Sequence, residues 1–292
     1  MERMEGRHVL AGDGDYHLVM SGAGPPVLLL HGFPETHHCW RKVAPQLARA
    51  HTVVAPDLRG YGATLAPPGG PRGEGYSKRE MASELVALMR ALGFEQFAVV
   101  GHDRGGRVAY RMALDHPSHV VHVAVLNIVP TVEQLERMTP ETALGYLPWF
   151  LLAQPAPLPE RLLEPSAELF VRHALDTWCG TPGAIEPEAA DAYVRAFNPV
   201  TIPGICADYR AALHLDRPLD EADRAAGRRI TRPVLVLWGD KEAALGDGPL
   251  PVWQRWASDV RGHALPSGHF LPEEAPDEVA AAVLDFLTGG GD

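Results

Sequence analysis

The sequence has few cysteines, no long apolar run and little positive charge. Its three cysteines, Cys39, Cys179 and Cys206, are odd in number and show no C-x-x-C spacing, which indicates neither a disulfide framework nor a zinc site. No apolar run approaches the roughly 18 residues of a membrane span. Lys and Arg number 26 against 37 Asp and Glu, and the net charge of −11 disfavours nucleic acids and anionic membranes as partners. We therefore expect a cytoplasmic protein without a nucleic-acid or membrane partner.

What the chain does contain is an alternation of short apolar runs and helical patterns. A strand buried on both faces is apolar at every position, so such runs separated by helices predict a mostly parallel sheet covered by helices on both sides. One helical pattern covers residues 78–92 and ends at Gly93, a residue that favours helix C-termini. The predicted strands are residues 27–30, 52–55, 97–100, 121–126 and 233–238.

The alternation stops between residues 131 and 229. This stretch is rich in proline and aromatic residues and has amphipathic helical segments without a clear strand. We expect an α/β fold whose core, residues 1–130 and 230–292, carries an inserted helical cap, residues 131–229. Ligands of parallel sheets bind at the carboxyl ends of the strands, and the polar motifs of this chain follow its predicted strands.

A glycine-flanked turn follows the third predicted strand, in the run Gly101-His102-Asp103-Arg104-Gly105. This is the G-x-nucleophile-x-G layout, in which a strand turns sharply into a helix and exposes the middle side chain at the positive end of that helix. A serine there would indicate an esterase or lipase. An aspartate indicates a nucleophile that attacks saturated carbon and forms an alkyl-enzyme ester. The simpler alternative is that Asp103 only caps the helix.

Six segments carry a resemblance to a known family. The chain resembles the α/β-hydrolase-fold dehalogenases and epoxide hydrolases, and within them the fluoroacetate (haloacetate) dehalogenases. The resemblance implies hydrolytic dehalogenation of 2-haloacids, a small carboxylate substrate, no cofactor because water is the second reactant, and a homodimer. The segments are HGFPETHHCW (31–40), DLRGYG (57–62), GHDRGGRVAYRMALDHP (101–117), FLLAQPAPLPERLL (150–163), DYRAA (208–212) and LPSGHFLPEEAP (265–276).

Three further groups complete the expected ester chemistry. His269 lies near the C-terminus, after the nucleophile in chain order, and is the predicted general base that activates water. Its alternative is a buried histidine that the backbone satisfies. The resemblance and the turn together suggest the backbone N–H groups of Phe33 and Arg104 as the oxyanion donors.

The resemblance also implies how substrate binds. Arg104 and Arg107 are three residues apart at a helix start, and the matching arginines of the family hold the substrate carboxylate. Alternatively, both form structural salt bridges, for which Asp57 and Glu35 are candidate partners. Trp149 and Tyr209 match the family's donors to the departing halide. The alternative for these two is aromatic packing within the cap.

Two positions depart from the family pattern. The acid that orients the histidine is expected after the fourth predicted strand, where this chain has Asn127, and an amide cannot stabilise an imidazolium as a carboxylate does. Glu242, after the fifth strand, is our candidate for that acid, with Asp240 as the fallback. The family's halide-binding histidine is replaced by Pro148. Losing one aimed donor costs about 3 kcal/mol of transition-state stabilisation, so we expect chloro- or bromoacetate to be preferred over fluoroacetate.

Two other functions fit part of this pattern. An epoxide hydrolase would share Asp103, His269 and the acid, and would use cap tyrosines to protonate the epoxide oxygen, with Tyr209 as one donor and the nearby Tyr146 compensating for the second. A non-catalytic member of the fold that binds a small ligand is the alternative from a different class. A metal enzyme is disfavoured because the neighbours His37 and His38 point apart and lack the spacing of a ligand set.

Overall fold

An eight-stranded sheet forms the centre of the molecule, with the strand order β1-β2-β4-β3-β5-β6-β7-β8. The structure, a computed structural model, describes residues 5–242 and 248–289. Strands β1 and β2 pair antiparallel, β2 pairs antiparallel with β4, and the neighbours from β4 to β8 are parallel. The predicted α/β fold, with a mostly parallel sheet flanked by helices, is therefore confirmed.

The strands and helices have the following bounds. The strands are β1 (Glu5–Ala11), β2 (Gly14–Ser21), β3 (Pro26–Leu30), β4 (Thr52–Pro56), β5 (Phe97–His102), β6 (Val120–Leu126), β7 (Val234–Gly239) and β8 (Val260–Leu265). The helices are α1 (Ala44–Leu47), α2 (Lys78–Ala91), α3 (Asp103–Asp115), α4 (Thr131–Glu136), α5 (Pro140–Gly145), α6 (Leu147–Leu152), α7 (Leu158–Leu163), α8 (Ala167–Trp178), α9 (Pro187–Ala196), α10 (Ile202–Ala211), α11 (Arg217–Ala225), α12 (Leu250–Trp256), α13 (Leu271–Glu274) and α14 (Pro276–Leu287).

The strands that the sequence analysis does not name lie at the two edges of the sheet. β1 and β2 form an N-terminal hairpin, and β8 is the last strand at the opposite edge. β2 alternates buried and partly exposed residues, and most of β8 is exposed or only partly buried. Such strands lack the continuous apolar run that is typical of a strand buried on both faces, so that pattern does not predict them.

The helices α4 to α11 lie between β6 and β7, and this part of the described chain contains no strand. Buried ion pairs join these helices to the core: Arg111 on α3 binds Asp220 on α11 at 2.7 Å and Asp223 at 2.5 Å. Tyr110 donates to the same Asp220 carboxylate at 2.7 Å. Charges this deeply buried are stable only when they are paired, so the contacts hold the helices in one position on the core. Among the described residues, no helix is long and apolar enough to cross a membrane.

The turn from β5 into α3 is packed backbone against backbone. A Cβ atom on Gly105 would lie 2.4 Å from the carbonyl oxygen of Leu30 and 2.5 Å from that of His31. The Gly105 N–H donates to the His31 carbonyl at 2.9 Å, which ties the helix start to the end of β3. The helix begins at Asp103 itself.

We predict that Gly105→Ala destabilises the protein by about 1–3 kcal/mol, the usual cost of overpacking, because both nearby atoms belong to the backbone and cannot rotate away. Gly145→Ala is the matched control, since a Cβ there meets no atom within 4 Å. Urea unfolding of both variants measures the difference. Equal stabilities of the two variants would contradict the packing argument.

Candidate active site

Asp103 occupies the tip of the turn in a strained conformation. Its φ is +42°, in the left-handed region that residues other than glycine rarely adopt. Strain of this kind persists where the surroundings fix the backbone, here through the Gly105 contact described above. The side chain is almost buried, and its Oδ2 accepts the Phe33 N–H at 3.1 Å. Within the described residues Oδ1 receives no hydrogen bond, so this oxygen is the one left for chemistry.

Positive groups keep the Asp103 carboxyl ionised. Burial alone would raise its pKa, but the charges of His269, Arg104 and Arg107 outweigh burial and lower the pKa below the ordinary value. The turn therefore presents a carboxylate, with one oxygen held by a backbone donor.

His269 and Glu242 form a hydrogen-bonded pair beside this carboxylate. The Nδ1 of His269 lies 3.1 Å from Glu242 Oε2. Asn127 Nδ2 donates to the same carboxylate oxygen at 3.1 Å, and Asn127 Oδ1 accepts the Gly239 N–H at 3.0 Å. His269 Nδ1 also lies 3.0 Å from Asn127 Nδ2. Because the Asn127 amide donates to Glu242 and a carboxylate can only accept, we assign the proton of the His269–Glu242 hydrogen bond to Nδ1. Its Nε2 is buried and has no hydrogen-bond partner among the described residues.

The surroundings of His269 raise its pKa. Burial opposes the charged form, but the Glu242 hydrogen bond and the charges of Glu242 and Asp103 prevail. Asp240, the fallback candidate, is exposed, and its backbone N–H binds Leu265. Of the two candidates, the structure brings Glu242 to the histidine.

Arg104 is completely buried and is held by Asp208. Its Nε donates to Asp208 Oδ2 at 2.8 Å and its Nη2 to Oδ1 at 2.9 Å, while the Lys78 ammonium binds the same carboxylate. The Arg104 guanidinium also lies over the Tyr209 ring, 4.2 Å from its centroid. The structural partners considered from sequence, Asp57 and Glu35, are wrong, because Asp57 binds His17 and His37 and Glu35 binds His102.

Arg107 is also buried but pairs with no carboxylate within ion-pair distance in the described chain. Its Nη1 donates to the Val129 carbonyl at 3.0 Å and to the Thr131 hydroxyl at 3.3 Å, and its guanidinium lies 4.8 Å from the centroid of the Trp149 ring. Burial and repulsion from Arg104 lower the pKa of Arg107. Arg104 Nη1 and Arg107 Nε are both buried without a hydrogen-bond partner in the described residues.

These groups meet at a cavity of about 370 Å³ between the sheet and the inserted helices. Asp103, His269 and Glu242 come from the core, and Trp149 and Tyr209 from helices α6 and α10. Neither arginine is a lining residue of this cavity, and both guanidinium groups lie against the Trp149 ring, 5.1 Å and 4.8 Å from its centroid. The remaining lining residues are Thr142, Gly145, Tyr146, Thr177, Trp178 and Lys241.

Pro148 and Tyr146 occupy different positions relative to this cavity. Pro148 is buried in α6 and is not a lining residue, whereas Tyr146 lines the cavity. Burial raises the pKa of both Tyr146 and Tyr209, so both phenols remain protonated donors. Two tyrosine hydroxyls therefore share the cavity with the Asp103 carboxylate.

Comparison with known proteins agrees with this geometry. The model of the alpha/beta hydrolase fold family matches residues 25–276, which is most of the chain. The chain belongs to the alpha/beta hydrolase fold family. A fluoroacetate dehalogenase from Burkholderia sp is 43% identical over 98% of this chain and 95% of its own length.

Other members of the alpha/beta hydrolase family match over similar lengths. A soluble epoxide hydrolase from Corynebacterium sp. (strain C12) is 34% identical over 93% of both chains. The crystal structure of an alpha/beta hydrolase from Nostoc sp PCC 7120 has a TM-score of 0.94 and 46% identity, with 98% of each chain covered. The similarity therefore supports a hydrolase with dehalogenase and epoxide hydrolase relatives.

Sequence reasoning missed one residue that organises this alpha/beta hydrolase site. Asp208 binds both Arg104 and Lys78, and Tyr61 donates to it at 2.8 Å. In the sequence, Asp208 lies next to Tyr209 inside a helical pattern, which indicates only an ordinary polar position on a helix. No local signal in the sequence pairs it with an arginine that is 104 positions away.

We predict that Glu242→Gln lowers the pKa of His269, because the variant removes the carboxylate that stabilises the imidazolium. A proton NMR titration of the histidine Cε1–H signals measures the shift, with the His269 signal assigned from a His269→Gln spectrum. Asp240→Asn is the matched control, since it removes a nearby but exposed carboxylate. An unchanged titration in Glu242→Gln, or an equal shift in the control, would contradict the assigned pair.

Proposed function

We propose that this chain hydrolyses the carbon–halogen bond of 2-haloacids such as haloacetates, with Asp103 as the nucleophile. The observation that carries the proposal is Arg107, a buried guanidinium without a carboxylate partner in the described chain, beside the Asp103 carboxylate. A buried cation without a counterion is costly unless an anion joins it. A substrate carboxylate supplies that anion.

The first chemical step forms an ester. Asp103 Oδ1 attacks the carbon that carries the halogen, a carbon–oxygen bond forms, and the halide leaves with the electron pair of the broken bond. Oδ2 keeps its hydrogen bond from Phe33 during the attack. We assign the departing halide to Trp149 and Tyr209, whose side chains enter the cavity from the inserted helices. Those helices thereby act as a cap over the core.

The second step hydrolyses the ester. His269 Nε2 takes a proton from water, and the hydroxide attacks the Asp103 carbonyl carbon. The oxyanion formed there receives the Phe33 N–H and, by the same proposal, the Arg104 N–H. The ester bond then breaks, and the hydroxyacid leaves after taking the proton from His269. Asp103 is left as a carboxylic acid and passes its proton to the neutral His269, which releases it to solvent, so that Asp103 returns to a carboxylate. Glu242 holds the histidine and stabilises its charged form, the role of a triad acid.

The two unpartnered N–H groups suit the substrate carboxylate. Within the part of the chain that the structure describes, Arg104 Nη1 and Arg107 Nε have no hydrogen-bond partner, and a carboxylate has two oxygens to accept them. Asp208 neutralises Arg104 and fixes its plane. We therefore assign recognition of the substrate charge to Arg107. Arg104 supplies the second N–H donor, in an orientation that Asp208 fixes.

Epoxide hydrolysis is the second candidate function. Tyr146 and Tyr209 line the same cavity as Asp103, and both remain protonated. Two phenol donors facing an aspartate nucleophile suit the opening of an epoxide, whose oxygen needs a proton. A neutral epoxide, however, leaves the charge of Arg107 uncompensated, and this difference separates the two functions experimentally.

We predict that the wild-type protein releases halide from chloro- and bromoacetate faster than from fluoroacetate, and that Asp103→Asn releases none. The variant keeps the size of the side chain and loses the nucleophile. Ion-selective electrodes measure all three halides, and thermal unfolding checks the fold of the variant. Equal release by both proteins would disprove the role of Asp103, and faster release of fluoride would disprove the argument from Pro148.

We predict that Arg107→Gln lowers kcat/KM for chloroacetate by about 30-fold or more, since losing one partner of a buried charge pair costs about 2 kcal/mol or more. Turnover of a neutral epoxide such as styrene oxide, if present, changes by only a few-fold. Arg90→Gln is the matched control, because Arg90 pairs with Glu95 at the surface. An equal loss for both substrates would contradict recognition of the carboxylate.

A further inference from the structure

A second cluster of ligand-type side chains lies at the same end of the sheet. His17 is on β2, His37 follows β3 at the start of a 3₁₀ turn (His37–Arg41), and Asp57 directly follows β4. β4 lies between β2 and β3, so the three side chains come from adjacent positions in the sheet. The Asp57 N–H donates to the His17 carbonyl at 2.9 Å, and this bond holds the end of β4 against β2.

The donor atoms of the cluster converge. His37 Nδ1 lies 2.7 Å from Asp57 Oδ1, and His17 Nδ1 lies 3.1 Å from Asp57 Oδ2. One ligand atom from each residue lies within 4.8 Å of the other two. Among the described residues this is the one group of three or more His, Cys, Asp or Glu side chains that meets this criterion.

We propose that His17, His37 and Asp57 form a binding site for a divalent transition-metal ion of the zinc type. Two imidazole nitrogens and one carboxylate oxygen are ligands that such ions favour, and together they make a mononuclear site with three protein ligands.

The dimensions of the cluster suit such an ion. Zinc binds nitrogen at about 2.0–2.1 Å, and two ligands of one tetrahedral ion are then about 3.3 Å apart. To reach that separation, the His37–Asp57 distance widens by about 0.6 Å and the His17–Asp57 distance by about 0.2 Å. The two imidazole nitrogens, which lie within 4.8 Å of each other, move closer together. The ion takes the place of the Nδ1 proton of each histidine, and each neutral imidazole then carries its proton on Nε2 instead.

The charge and accessibility of the cluster also suit an ion. Asp57 is buried, and its two carboxylate oxygens face the two imidazoles. The His37 and Ala63 N–H groups hold its oxygens, each at 2.9 Å. The two histidine side chains are 18% and 21% exposed. Solvent therefore reaches the imidazoles, while backbone donors hold the carboxylate in place.

The alternative is a hydrogen-bonded network with no affinity for metal. The sequence disfavours a metal site, because His37 and its neighbour His38 point apart and lack the spacing of a ligand set. The structure pairs His37 instead with residues 20 positions away on either side, a spacing that no short motif contains.

Zinc titration of the chelator-treated, full-length protein at pH 8 tests the site by calorimetry and by thermal unfolding. We expect one equivalent to bind with micromolar or tighter affinity and to raise Tm, because a ligand of the native state stabilises it. His17→Asn and His37→Asn keep a side-chain N–H toward Asp57 but lose the imidazole, and each is expected to weaken binding at least ten-fold. His263→Ala, an exposed histidine on β8, is the control and is expected to bind as the wild type does.

Three results would overturn the proposal. If the wild-type protein binds no zinc, the cluster is only a hydrogen-bonded network. Unchanged affinity in both asparagine variants places the ion elsewhere. A loss in His263→Ala equal to that in the cluster variants means that zinc binds exposed histidines without a built site.

Discussion

The contact between the β5–α3 turn and the end of β3 places the reacting groups. The Gly105 N–H binds the His31 carbonyl at 2.9 Å, and the absence of a side chain at Gly105 allows the two backbones to touch. That contact holds Asp103 at a φ of +42° and brings its carboxylate to within 3.1 Å of the Phe33 nitrogen. The proposed nucleophile and one of its proposed oxyanion donors thus follow two adjacent parallel strands, and the sheet fixes their separation.

The charges around this turn are arranged in two layers. The layer that lines the cavity contains Asp103, His269 and Glu242. Here one imidazole interacts with two carboxylates. The layer behind it contains Arg104, which Asp208 neutralises, and Arg107, which has no carboxylate partner within the described chain. Burying a guanidinium without an ion-pair partner opposes folding, and an anionic ligand that binds it recovers part of that free energy. In this account the same residue that costs stability supplies recognition of the substrate.

Much of this arrangement could be predicted from the sequence, because local patterns encode it. Continuous apolar runs predict the inner strands, and the glycines around Asp103 predict the turn. Strands β1, β2 and β8 lack such runs because they lie at or beside the edges of the sheet and are partly exposed. Asp208 was missed for a different reason, because its contact with Arg104 depends on how α10 packs on the core. The homodimer and the cytoplasmic location stay predictions from the resemblance and the composition.

The most direct test of the central claim is to follow oxygen through one turnover. With enzyme in excess over chloroacetate in H₂¹⁸O, mass spectrometry can examine both the glycolate and the peptide that contains Asp103. The account predicts that ¹⁸O enters the Asp103 carboxylate and that the first glycolate released carries no ¹⁸O, since its new oxygen comes from the enzyme. Labelled glycolate and an unlabelled Asp103 would mean that water attacks the substrate directly, which would contradict the account.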